Sequence, residues 1–211
     1  MSTTTKKYNL AKPGTSDHIH QTILDLANNF QIIDDALETT VSSTPTSGAW
    51  KINQRVYYTN TFVGGFVGAI NIRAGEAAPV WDSLTAYTTG QKITPTANNG
   101  HYYTCIQAGH SSPYEPAWLV ASGTITEDTK NKSYWEPTKA YELYDIVIPS
   151  VPNDRFYVCT VAGTSGTNEP DWAAQDGIAT SDRGVVWMSY RIVKWKESGP
   201  SVNFRPFGKI E

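Results

Sequence analysis

Apolar positions follow two different periods along this chain. Ile19, Ile23, Leu26, Phe30, Ile33 and Leu37 recur at spacings of 4, 3, 4, 3 and 4. That is the narrow seam of a parallel coiled coil, not the broad face of a helix lying on its own domain. Thr15, Ser16 or Asp17 is placed to cap the start. Ser42, Ser43 and Pro45 stop the pattern. The seam predicts an amphipathic oligomerisation and anchoring helix over 17–42. Ile at successive core positions favours a trimer over a dimer. Residues 1–16, polar and broken by Pro13 and Gly14, predict an extended arm. Past Gly48 the helical period ends. Short apolar runs bounded by Gly, Pro and Asn clusters take its place and predict strands.

Those strands repeat. Of the 48 positions from 81 to 128, 16 are identical 54 positions later, without a gap. The identities are mostly Trp, Tyr, Cys and Pro, which are too rare to recur in register by chance. Each unit runs W-x5-Y-x5-[IV], a hairpin turn, then Y-x-C-x2-A-G-x-S-x3-E-P-x-W-x4-G-x4-D. The turns are Asn98-Asn99-Gly100 and Pro152-Asn153-Asp154, and the return strands are 101–107 and 155–161. The spacing makes Trp135 the end of the first unit and the start of the second, with Trp187 ending the second. A shorter, divergent unit precedes them: Gln54-Arg55-Val56 echoes Gln91-Lys92-Ile93, and Asn71 to Gly75 echoes Cys105 to Gly109. Between these two segments, Gly64, Gly65 and Gly68 predict a strand in close contact with other backbone. The expected fold is therefore mainly β: an N-terminal arm and coiled-coil helix, then two to three small tandem antiparallel modules. The boundaries are a divergent unit at 46–80, repeats at 81–134 and 135–190, and a tail at 191–211 that pairs at an edge or contacts a neighbour.

Composition sharpens this. The chain has 211 residues, with 7 Trp against only 7 Leu. Four of the Leu lie between residues 10 and 37, and every Trp lies at 50 or beyond. Large rings are how a unit of about 50 residues gains apolar area. Most of the aromatic excess is thus expected in the cores. A net charge of -3 excludes a broadly basic nucleic-acid binder. No apolar run is long enough to insert in a membrane, and the first residues hold no apolar secretory core. Cys105 and Cys159 are equivalent repeat positions, which predicts two buried thiols and not a disulfide.

The candidate chemistry is sparse. Glu115 and Glu169, and Asp128 and Asp182, occur once per repeat, where a glycosidase needs two carboxylates converging on one bond. Turn and loop anchoring is the expected role, with no enzyme activity and no cofactor. His18 and His20 flank the seam residue Ile19, so a helix turns both away from the axis, and no metal site is expected. Aromatic rings that the repeat does not demand are the better ligand candidates: Tyr102, Tyr114 and Tyr144, with His110 nearby, for binding a glycan.

Trp81, Tyr87, Gly90, Ile93, Gly100, Tyr103 and Trp118 together resemble the chitin-binding-like β modules of bacterial chitinases and related enzymes. The second repeat departs from them, with Tyr144 and Asp154 in place of the two glycines. The A-G-x-S-x3-E-P-x-W extension is more similar to the tandem modules of tailed-bacteriophage virion proteins. So is the segment from Trp50 through Gly64–Ile70 to Gly75. The opening Tyr8-Asn9-Leu10-Ala11-Lys12-Pro13, with Ile23 to Asp34, is similar to the start of phage fibre and minor structural proteins. The resemblance covers about residues 8–187. It implies a homotrimeric virion fibre of the head, neck or tail, assembled in the host cytoplasm. The N-terminal arm would bind other virion proteins, and the distal modules would meet a host-surface glycan. Two other readings fit the same residues: a carbohydrate-binding module of a secreted glycan-degrading system, or a passive virion decoration or adaptor protein.

Overall fold

The computed structural model describes residues 3–6, 9–14, 17–36 and 39–211. The chain is mainly β, with one helix and several small sheets. It divides into two compact units. One holds the described residues up to Thr44 with 51–72 and 204–211; the other holds 45–50 and 73–203.

In the first unit the arm is not extended throughout. Thr3–Thr4 pairs with Ala11–Lys12, and Asn9 takes a positive φ of 57° in the turn. The helix runs from Ile19 to Ala36. It starts at His18, whose carbonyl accepts the Thr22 N–H, while the Asp17 carboxylate accepts from Gly14. Thr15 and Ser16 lie outside the described residues, as does Leu37. The helix is shorter than the 17–42 expected, because Thr39–Val41 is a strand running parallel to Arg55–Tyr58. Thr-Thr-Val is β-branched throughout, and such side chains lose less freedom on a pleated sheet than in a helix. The sheet order is Phe204–Lys209, Phe66–Asn71, Arg55–Tyr58, Thr39–Val41. At Gly68 a Cβ would stand 2.1 Å from the Val56 carbonyl oxygen, so the glycine-rich segment does carry close backbone contact.

The second unit contains both repeats. The hairpins and return strands fall as the sequence predicts, at His101–Gln107 and Arg155–Val161. Each repeat has its own aromatic core. Trp81, Tyr87, Ile93, Tyr103, Cys105, Val193 and Trp195 form one, with Trp118 packed against it. Trp135, Tyr141, Val147, Tyr157, Cys159, Val185 and Trp187 form the other, with Trp172 packed against it.

Five of these seven pairs are 54 residues apart, but Val193 and Trp195 answer to Val185 and Trp187, only 8 residues earlier. The strand order explains why. In the second module Val185–Arg191 lies between Ala179–Asp182 and Arg155–Val161. In the first module the equivalent position, between Ile125–Glu127 and His101–Gln107, is taken by Lys194–Pro200. The registers match: Trp187 faces Cys159 and Thr180, and Trp195 faces Cys105 and Thr126. The second module is thus inserted into the first, before its closing strand. Trp135 does not close the first module, and 191–211 is no peripheral tail. Lys194–Pro200 is an interior strand.

The divergent unit obeys the same plan. The N–H groups of Asn71, Cys105 and Cys159 donate to the carbonyls of Gln54, Gln91 and Asp145 at 2.8, 2.8 and 2.9 Å. Their carbonyls accept from Asn53, Gly90 and Tyr144, the three of which share a positive φ of 68°, 92° and 69°. Its closing strand is Phe204–Lys209, antiparallel to Phe66–Asn71. The three closing strands therefore follow in reverse order of their openings, each introduced by a V-x-[WF] step: Val185-Val186-Trp187, Val193-Lys194-Trp195 and Val202-Asn203-Phe204. The 46–80 segment is consequently not one consecutive unit, since 51–72 and 73–80 fall in different compact units.

Not all pairing is antiparallel. Ser133–Tyr134 runs parallel to Ile146–Ile148, on the edge of the second module's sheet.

Candidate functional site

The repeated acids hold the modules together. Asp128 Oδ2 accepts both indole N–H groups of its core, from Trp81 at 2.7 Å and Trp195 at 3.2 Å. Asp182 Oδ2 accepts from Trp135 at 2.8 Å and Trp187 at 3.1 Å. Glu115 accepts from the Trp118 indole at 2.8 Å, the Thr96 N–H at 2.9 Å and the Thr96 hydroxyl. Glu169 repeats this with Trp172, the Ser150 N–H and the Ser150 hydroxyl. Each acid thus ties an opening segment of its module to a later one.

Their titration follows from these bonds. Burial pushes the Glu115 and Glu169 carboxyls up. The hydrogen bonds from Thr96 and Trp118, and from Ser150 and Trp172, together outweigh it and hold both below the ordinary glutamate range. Glu197 is buried, yet bonds from His101 and from the N–H groups of Gly123 and Gly199 likewise hold it low. A carboxyl whose pKa is lower folded than unfolded stabilises the fold above its unfolded pKa. That stability is lost as pH falls through the folded value. The melting temperature is therefore expected to drop as pH is lowered below about 4. Melts followed by circular dichroism at neutral and acid pH check this, and Glu115→Gln and Glu169→Gln together should flatten the drop.

Both cysteines are free and buried. Burial raises the Cys105 thiol, and raises Cys159 to about 11, so neither is a reactive thiolate at neutral pH.

The four glycan candidates are not brought together. Tyr102 lies on the first module's sheet, with the Lys92 ammonium 5.5 Å from its ring centroid. Tyr114 is exposed in the loop after Ser112, whose hydroxyl donates to its carbonyl. Tyr144 occupies a positive-φ turn position of the second module, where the first module has Gly90. His110 packs its ring 4.6 Å from that of Tyr190, and its Nδ1 sits 3.6 Å from Asp176. It lies at the junction of the two modules, not in an open loop. Nor do the core Trp rings form platforms: Trp81, Trp135, Trp187 and Trp195 are buried, as the repeat implies.

Two concavities of the second unit exclude all four candidates. A wide groove of about 720 Å³ runs past Pro79, Val80 and Gln91, beside the Lys92–Glu76 ion pair of 2.7 Å. A tighter cleft of about 250 Å³ opens between the two modules. Glu127 of the first module stands on one side, and Tyr134, Asp154 and Arg155 of the second on the other. The Lys194 ammonium bridges Glu127 and Asp154, at 3.2 Å from each. Burial pushes Glu127 up, but bonds from Lys194 and Lys132 more than offset it, so the carboxylate stays charged. The sequence signals these residues only in part. Non-repetition picks out Tyr134 as well, since Val80 and Met188 occupy the positions 54 away. Nothing in the sequence brings Glu127 to Asp154, because they meet only through the insertion of one module in the other.

Among the described residues no group of three or more His, Cys, Asp and Glu is placed to hold a metal ion, and no helix is long and apolar enough to cross a membrane. Compared with protein-family models, curated proteins and solved structures, the chain matches none.

Proposed function

We propose that this chain is a non-enzymatic virion fibre protein of a tailed bacteriophage, anchored through its N-terminal arm to other virion proteins. Its helix trimerises the chain, and its β modules contact a glycan on the host surface. One observation carries the reading. The seam of the helix Ile19–Ala36 is uncovered in the single chain: Ile19 is 81%, Ile23 59% and Phe30 68% exposed, and Leu26 and Ile33 are also exposed. A free stripe of large apolar side chains in heptad register is costly in water and is satisfied by copies of itself.

The helix is not adrift from its own chain. The Asn29 side chain accepts the Ala11 N–H and donates to the Ala11 carbonyl, both at 2.8 Å, which fixes the arm on the face away from the seam. An arm held there is free to engage a neighbouring virion protein while the seam packs. Three chains with weak sites on each then gain by avidity rather than by single strong contacts.

Sedimentation velocity of the full chain tests the assembly. A trimer is expected at micromolar concentration, and Phe30→Asp, which buries three charges at one core layer, should leave a monomer with its β signal intact. A wild-type monomer overturns the trimeric fibre. Retention of the labelled full chain on bacterial cells and wall polysaccharide tests attachment. No retention at the trimer's valency favours the passive decoration reading.

A further inference from the structure

We propose that the cleft between the two nested modules is a binding site for one ring of a neutral sugar. This rests on the glycan-contacting reading above and gives it a location that the sequence candidates Tyr102, Tyr114, Tyr144 and His110 do not share.

The chemistry of the lining selects the ligand. The floor is apolar and buried, made by Ile148 and Ile192. The Tyr134 ring forms a wall and is 62% exposed. It extends from an edge strand whose backbone is fixed by parallel pairing to Ile146–Ile148. An exposed phenol ring beside aliphatic side chains suits the C–H face of a pyranose. Across from it, Glu127 and Asp154 present carboxylates whose remaining lone pairs accept hydroxyls, and each is positioned by Lys194. Lys132, 3.3 Å from Glu127, adds a donor at the rim.

Charge balance narrows the class. Glu127 and Asp154 are offset by Lys132 and Arg155 in the lining, so the site favours neither an anion nor a cation. Arg155 is already engaged by Asp176 and Ser189, at 2.8 and 2.9 Å, and is not free to clamp a ligand carboxylate or phosphate. At about 250 Å³ the cleft falls below the roughly 300–1,000 Å³ of pockets for larger ligands. One ring fits, while an extended chain would have to leave the cleft.

The test is amide chemical-shift mapping of the full chain by transverse-relaxation-optimised NMR. The probes are N-acetylglucosamine, glucose and galactose, with glucosamine and glucuronic acid as charged comparators. At least one neutral sugar should shift the amides of 127, 133–134, 148 and 154–155 in a saturable way. Tyr134→Ala should weaken this by roughly tenfold or more, since it removes the stacking face. Tyr134 is exposed, so an otherwise unchanged spectrum shows that the variant is folded. The proposal is overturned if no neutral sugar shifts these amides, if a charged comparator shifts them more, or if the response survives Tyr134→Ala. Saturable shifts around Tyr102 or Tyr114 alone would remove the cleft but keep the adhesive reading. Cleft binding without retention on cells would keep the cleft and remove the fibre.

Discussion

Truncating the chain after Val193 will unfold the first module and leave the second intact. The residues removed are distant in sequence from 81–128, but they supply its central strand. Lys194–Pro200 pairs with His101–Gln107 on one side and Ile125–Glu127 on the other, so both neighbours lose their ladder. Trp195, fully buried, leaves the core, and Glu197 leaves His101 and Gly123 without their acceptor. Removal of a buried Trp alone costs about 3–5 kcal/mol, against a total of roughly 5–15 kcal/mol for a whole domain. The module cannot absorb that together with a lost strand. The second module has its own closing strand, Val185–Arg191, and keeps it. Limited proteolysis with mass spectrometry reads the outcome. Cleavage should spread through 81–128, with a protected fragment near 135–192. Modules strung in series would instead leave both regions protected, so equal protection refutes the nesting. Trp195→Ala should act in the same direction on the first module, and Trp187→Ala on the second.

Asp128→Ala will be nearly as damaging, although it removes only a carboxylate. Two indole N–H groups, the Ser112 N–H at 3.1 Å and the Ser112 hydroxyl at 3.0 Å all converge on it. Each buried donor left unsatisfied costs about 1–3 kcal/mol, so a loss on the order of 5 kcal/mol is expected in urea unfolding of the first module. Asp182→Ala should do the same to the second, where the donors are Trp135, Trp187 and the Gly166 N–H at 2.7 Å.

Asp128→Asn separates shape from charge. Burial raises the Asp128 carboxyl above its ordinary range, despite the bonds from Trp81, Ser112 and Trp195 that lower it. A group with a raised folded pKa binds its proton more tightly when folded. Its contribution is therefore full at low pH and is lost as pH rises through that value. Wild type should gain stability relative to Asp128→Asn as pH falls from neutral, opposite to the trend set by Glu115, Glu169 and Glu197. A gap between the two proteins that does not change with pH would contradict this.

Much of the module was legible because its constraints are local. The 54-residue spacing identified the Trp, Tyr and Cys positions of both cores, the hairpin turns and both return strands. The role of Glu115 and Asp128 as anchors was also legible, since acids duplicated in two units are poorly placed to converge on one bond. The closing strands were not. Trp195 has no partner at 54 residues, because the insertion displaces it, and Trp135 stands where a closing Trp would fall in a simple series. The spacing rewarded the wrong ring. The candidate site suffered in the same way: Tyr134 has the non-repeating character sought in the sequence, but its cleft is made from a second wall that only the insertion supplies.

By itself the sequence determined the seam of the helix, the mainly β character, and the aromatic core of each repeat. These depend on the period of side chains along a helix or strand and on which residues recur, and both are readable within tens of residues. The tertiary structure alone decided which strand closes which module and that an intermodule cleft exists. Strand closure depends on pairing across large sequence separations. V-x-[WF] steps at 185, 193 and 202 are nearly interchangeable as strings of residues. Only the topology assigns the first to the second module, the second to the first, and the last to the sheet with which the chain began.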